Sequence, residues 1–414
     1  MTTTSPPATA DAIRSTIPAR IDRLPWSPFH SRMVTALGIA WILDGLEITV
    51  AGAVAGKLSD ASTLGLTAAQ VGLVATVYLI GEVVGALVFG KMSDRLGRKK
   101  LFMLTLGVYL VGSGLTAATF GHSGLWVMFF YATRFIAGMG IGGEYAAINS
   151  AIDELIPARY RGRVDIAVNG TYWAGALLGT LGTFYFLGHF TNGAGWRIGF
   201  LLGPVLGVVI LFVRRNLPES PRWQVMHGRE QEANRSIDYI EKEVAGRSGR
   251  ELPPVDENRA IEIRPTTEHG YVELATVLFR HYPKRSVLGA TLMITQSFLY
   301  NAIFFTYTLV LKNFYHVDPD KAPIYLIAFC VGNLAGPLTI GRLFDTVGRR
   351  KMIAGTYIIS GALLAISGFM FNAGMLNATT QTIAWAIIFY FASAGASAAY
   401  LTVSEIFPLE VRAK

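Results

Sequence analysis

The sequence predicts an all-α integral membrane protein made of two copies of one helical unit, and three observations carry this. First, two unrelated charge patterns recur at one spacing. Gly90-x3-Asp94-Arg95-x-Gly97-Arg98 returns as Gly341-x3-Asp345-x2-Gly348-Arg349, and Glu154-x6-Arg161 returns as Glu405-x6-Arg412; both intervals are 251 positions. Shared periods of this kind mark the internal repeats from which secondary transporters are built. Second, 52% of the 414 residues are hydrophobic and 15% charged, with a mean hydropathy of +0.41; soluble domains carry about 25% charged residues. Third, apolar blocks near twenty residues follow one another, and the gaps between them alternate between basic and nearly uncharged.

Taken in order, residues 1–30 are expected to be a disordered cytoplasmic segment, Thr/Pro/Ala-rich at its start and without the apolar core of a cleaved signal peptide. Residues 31–214 form the first six-helix half, with membrane helices expected at about 33–56, 68–90, 101–120, 125–150, 165–187 and 196–214. Lys91, Arg95, Arg98, Lys99 and Lys100 fill the second gap, and Arg159, Arg161 and Arg163 the fourth. Gaps 121–124, 188–195 and 373–380 hold no Lys or Arg; 57–67 has only Lys57, and 312–322 only Lys312 and Lys321. Positive charge on the inner side then places the N-terminus and the basic gaps in the cytoplasm of a plasma (cell inner) membrane protein. Residues 215–284 are a cytoplasmic linker, with a short amphipathic helix at 229–244 and a turn-rich, mobile stretch at 246–270. Residues 285–414 form the second half, with helices at about 286–311, 323–343, 352–372 and 381–403. By the repeat, this half is expected to be incomplete, stopping after four helices and lacking about 50–60 residues.

The intramembrane charges are the main candidates for function. A charge at the bilayer centre costs at least about 2.5–3.5 kcal/mol and usually marks a solute or ion path. Asp44, Glu47, Glu82, Arg134 and Glu144 lie inside first-half helices. Asp44 and Glu47 share a helix face, and counting rise per residue puts Glu47 and Arg134 at matching depth. These residues are candidates for proton coupling or substrate contact; a fixed ion pair between the first and fourth helices is the structural alternative. Asn169, Tyr172, Trp173, Gln296, Tyr300, Asn301 and Asn333 are candidates for the cavity wall, with helix packing as the alternative. In the gap motifs, Gly90 is expected to permit close helix approach, Gly97 a turn with positive φ, and Asp94 a latch that breaks when the halves rock.

Gly-x3-Asp-Arg-x-Gly-Arg-Lys between the second and third helices resembles the signature of the major facilitator superfamily. Glu-x6-Arg after the fourth and tenth helices, and Pro218-Glu219-Ser220-Pro221-Arg222-Trp223 after the sixth, are similar to its sugar-porter and metabolite-symporter branches. The resemblance covers nearly all of residues 30–414. It implies a major facilitator fold of two six-helix halves, a central cavity and alternating access. It also implies that Gly90, Asp94, Arg95, Gly97, Arg98, Glu154 and Arg161, with Gly341, Asp345, Gly348, Arg349, Glu405 and Arg412, form the cytoplasmic gating network. Gln296 and Asn301 resemble a seventh-helix sugar motif, and Asp44-Gly45-Leu46-Glu47 an element of aromatic-acid proton symporters.

The expected function is proton-coupled symport of a small organic solute, with an organic or aromatic acid favoured and Arg134 able to meet the anion. A sugar or polyol porter, a non-transporting solute sensor and an inactive fragment are the alternatives. The expected partners are the solute, a proton and the lipid bilayer, for a monomer that binds no nucleic acid, cofactor or metal and is not an enzyme. Gly85-x4-Gly90-Lys91 approximates a phosphate-binding loop, but Met92 stands where Ser or Thr is needed and no strand precedes it.

Overall fold

The computed structural model describes residues 13–190, 194–214, 219–248, 251–255, 257, 260–263 and 275–406. Strand β1 (Ile13–Ser15) leads into α1 (Ile17–Asp22) and then the long helix α2 (Pro28–Leu58). Helices α3 (Ala68–Leu96), α4 (Arg98–Ala117), α5 (Gly124–Leu155), α6 (Ala158–His189) and α7 (Gly195–Arg214) complete the first half. Helices α8 (Pro221–Met226) and α9 (Glu230–Ser248) and strand β2 (Ile261–Ile263) lie between the halves in sequence. The second half contains α10 (Pro283–Phe304), α11 (Tyr307–Tyr315), α12 (Leu326–Thr346), α13 (Arg349–Asn372) and α14 (Ala378–Ile406). Eight of the described helices are long and apolar enough to cross a membrane. Val83, Leu125, Phe298 and Phe369 stand 61–78% exposed on the outside of the bundle. Lipid, not water, accounts for large apolar side chains in such positions.

Close packing in the first half follows from its glycines. On α5, a Cβ at Gly138 or Gly142 would strike the carbonyl oxygens of Tyr78 and Glu82 on α3, and one at Gly140 would strike the backbone of Tyr109 on α4. The Gly138–Gly143 run therefore seats α5 between α3 and α4, as small residues do where backbones must approach without a hydrophobic drive from water. In the same way Gly45 meets the backbone of Tyr172, and Gly175 that of Ile42, locking α2 to α6.

Four expectations change. The segment 13–30 is structured. β1 pairs antiparallel with β2, Ile13 opposite Ile263, and Ile17, Ile21 and Leu24 bury their side chains against Ile237, Ile240 and Val244 of α9. Arg20 holds Asp238 at 2.5 Å and Glu241 at 2.6 Å, and Arg23 holds Glu241 at 2.6 Å. The amphipathic helix of the linker thus has a partner for its apolar face, which is why it runs on to Ser248 and shortens the turn-rich stretch. Part of that stretch, 264–270, lies outside the described residues. The seventh membrane helix is broken at Phe305–Thr306 into α10 and α11. There Thr306 N–H bonds back to Ile303 O in a tightened turn, and the Thr306 hydroxyl is spent on Ala302 O. Finally, α3 continues past the expected end at 90 to Leu96, so Asp94 and Arg95 sit within its last helical turns. A Cβ at Gly90 or Gly341 would meet open space, so neither glycine serves a close helix approach in this conformation.

Candidate functional site

At the basic end, both gap motifs turn on a glycine with positive φ, +87° at Gly97 and +101° at Gly348. Side chains rarely adopt this conformation. At Gly97 a Cβ would also collide with the Glu219 carboxylate. Glu219 accepts from the backbone N–H of Arg98 at 2.8 Å and of Lys99 at 3.3 Å, closing the α4 N-terminus with a negative charge. Arg98 itself pairs with Glu154 at 3.0 Å, both nearly buried. Arg161 does not close on Glu154. Its Nε donates to Ile156 O at 2.8 Å, and Asp22 stands 3.8 Å away. The side chains of Asp94, Asp345 and Glu405, and all of Arg412, lie outside the described residues; Arg95 is exposed and Arg349 half-buried.

The intramembrane charges gather in the middle of the first half. Glu47 and Arg134 form an ion pair with neither side chain exposed. Glu47 also accepts from Tyr109 OH at 3.0 Å and from Ser113 Oγ at 3.0 Å, two α4 residues one turn apart. Arg134 is sandwiched between the rings of Tyr78 at 4.4 Å and Phe200 at 4.9 Å. It is wholly buried in this conformation. Asp44, one turn before Glu47, is 2% exposed and takes a hydrogen bond from Tyr145 OH. Its second oxygen, Oδ1, has no hydrogen-bond partner among the described residues. Glu144 is 2% exposed and lies within electrostatic reach of Asp44, and Glu82 is half-buried. The donors Tyr109, Ser113 and Tyr145 are functional candidates that sequence reasoning passed over. Their signal was there: Tyr109 and Ser113 are polar groups at i, i+4 in an apolar helix.

The cavity candidates separate. Tyr172 and Trp173 on α6 pack edge to face at 5.0 Å, and Trp173 reaches Tyr300 and Phe304 of α10 at 6.4 and 6.1 Å. Tyr300 OH donates to Asn333 Oδ1 at 2.7 Å and its ring lies 5.0 Å from Phe389. This aromatic group therefore spans both halves. Asn301 donates its amide N–H groups to Ser297 O at 2.9 Å and Ser297 Oγ at 3.1 Å in its own helix. Gln296 is half-buried and the side chain of Asn169 lies outside the described residues.

Residues 44–414 match the family of sugar (and other) transporters. The chain belongs to this family. Among its relatives, the niacin transporter NiaP of Acinetobacter baylyi is 27% identical over 95% of this chain and 84% of its own. The putative metabolite transport protein YdjK of Escherichia coli is 28% identical over 95% and 82%. The solved structure of the E. coli xylose transporter XylE, in a partially occluded inward open conformation, superimposes with a TM-score of 0.70 at 20% identity, over 94% of this chain and 87% of that one. Sugar-transporter-family proteins of this kind are multi-pass membrane carriers of small solutes in the major facilitator fold, so this chain is a transporter and not an enzyme.

Proposed function

We propose that the chain is a proton-coupled symporter of a small aromatic or other organic acid, working by alternating access in the cell's inner membrane with the basic turns in the cytoplasm. The observation that carries the proposal is the Asp44–Glu47–Arg134 group. A buried ion pair adds little stability over apolar packing of the same volume, and intramembrane carboxylates are expensive. Asp44, with one donor and an unsatisfied oxygen, offers a proton a place to land. Glu47, tied to Arg134, Tyr109 and Ser113, links that event to α4 and α5.

An acid suits this setting only if it travels with a proton. Asp44, Glu82 and Glu144 make the interior of the first half acidic, so a lone anion is repelled, whereas an acid and proton together cross without net charge. The rings of Tyr172, Trp173, Tyr300 and Phe304 suit a planar solute, and the relative named as a niacin transporter agrees with an aromatic acid. A sugar or polyol is the second reading, favoured by Gln296, whose amide makes no hydrogen bond among the described residues. Competition of excess aromatic acids, hexoses and polyols against uptake by the protein in proteoliposomes distinguishes the two. Inhibition by aromatic acids alone supports the proposal, and inhibition by sugars alone overturns it.

A further inference from the structure

Positive charge on the inner side gives no reason for Lys57 and Lys312 to lie at the end of the bundle opposite the basic turns. The structure gives them one. Lys312 Nζ, on α11 of the second half, pairs with Asp60 of the first half, and donates to Ser59 Oγ at 2.7 Å and Gly56 O at 3.0 Å. Lys57 of the first half pairs in the other direction with Asp320 of the second at 3.0 Å. One turn deeper, Thr308 Oγ1 donates to Gly52 O at 2.8 Å and accepts from Gly56 N–H at 3.1 Å. The backbones come this close because Gly52 has no side chain; a Cβ there would strike Phe304 O.

We infer that the Lys312–Asp60 and Lys57–Asp320 pairs, seated on the Gly52–Thr308–Gly56 contact, form a latch that holds this end of the two halves shut and must part each time solute enters from that side. Each half contributes one cation and one anion, so the pairs cross the boundary between halves in opposite senses. Lys57 also lies 3.7 Å from Asp60 of its own half, so these two charges stay compensated when the halves part and the cost of opening is kept low. The four side chains remain 21–33% exposed. Water therefore weakens each pair, as a contact broken once per cycle requires. The break at Phe305–Thr306 separates α11 from α10, giving the latched segment its own hinge. Beneath the latch, Ala176 of the first half packs in one cluster with Phe304, Tyr307 and Cys330 of the second.

Cys330 is the chain's only cysteine and is 7% exposed, so it reports opening without any engineered label site. The inference that this end faces outward rests on the topology proposed above, and a separate protein reads that topology: Ser123→Cys in a Cys330→Ala background. In proteoliposomes of known orientation, a membrane-impermeant maleimide added outside labels position 123 if the topology holds; labelling only from the cytoplasmic side overturns the topology and not the latch. On whichever side labels position 123, the rate of Cys330 labelling then tests the latch. Lys312→Gln and Asp60→Asn each raise the rate on the order of fivefold, and the double variant Lys312→Gln with Asp60→Asn labels little faster than either single, because both remove the same pair. Unchanged rates in both single variants overturn the latch. A double variant in which the two increases multiply overturns the pairing.

Discussion

Replacing Arg134 by Met removes the cation from a site where both partners are wholly buried. Glu47 then keeps only the hydroxyls of Tyr109 and Ser113, at 3.0 Å each, to hold a charge in an apolar interior. Removing one partner of a buried pair costs about 3–5 kcal/mol, because the remaining charge is uncompensated. Replacing both partners is often nearly neutral, and in Glu47→Gln with Arg134→Met the amide still accepts from Tyr109 or Ser113. The double variant is therefore expected to recover most of the stability lost in Arg134→Met, a coupling of roughly 2–4 kcal/mol. Reversible unfolding of wild type, both single variants and the double in mixed detergent micelles measures this directly. The same proteins are then assayed for uptake. The double variant should be stable and still fail to accumulate solute, which separates coupling from architecture. Additive losses in the double variant would refute the pairing, and full gradient-driven accumulation by the double would refute its role.

Three further outcomes follow from the same geometry. Gly97→Ala forces a side chain into a φ of +87° and against Glu219, so it should cost about 1–3 kcal/mol and slow transport at unchanged KM; a change in KM alone would contradict a role outside the cavity. Trp173→Ala removes the ring that bridges α6 to Tyr300 and Phe304 and should raise KM for an aromatic solute about fivefold, by the loss of about 1 kcal/mol of stacking, with equal KM in the two proteins refuting an aromatic subsite. At the basic end, burial raises the Glu241 carboxyl, but hydrogen bonds from Arg20 and Arg23 prevail and hold it below its ordinary value of 4.5. Its contribution is thus present above pH 4.5 and is lost as pH falls through the lower folded value; proteolysis near residue 20 should rise only below that window, and Glu241→Gln should abolish the pH dependence.

Much of the membrane architecture was legible because lipid imposes it. Blocks of twenty apolar residues separated by alternately basic gaps arise in few settings besides a bilayer, and the repeat at 251 positions sets both gap motifs at equivalent places in the two halves. The depth argument brought Glu47 to Arg134 for a related reason: a helix has a fixed rise. What stayed hidden was set by contacts between segments far apart in sequence. The strand at Ile13–Ser15 is too short to be read alone and exists because Ile261–Ile263 pairs with it. The rings of Tyr78 and Phe200 that flank Arg134 come from two other helices, and nothing in the sequence around Arg134 announces them. Asn301 matched a sugar motif by spacing, which is silent on Ser297 one turn earlier, to which its amide N–H groups donate. Lys57 and Lys312 counted as exceptions to the charge rule until the facing half supplied Asp320 and Asp60.

The central claim is that a carboxylate in the first half couples solute movement to a proton, and Asp44→Asn in proteoliposomes tests it most directly. Two rates are compared with wild type: accumulation driven by an imposed pH gradient, acid outside, and exchange of internal for external labelled solute at equal pH. Asp44→Asn is expected to abolish accumulation, since the Asn amide neither takes up nor releases a proton at working pH, while exchange continues at a rate within a few-fold of wild type because the rocking halves and the aromatic site are intact. Accumulation at the wild-type level in Asp44→Asn, or wild-type accumulation indifferent to the gradient, contradicts it.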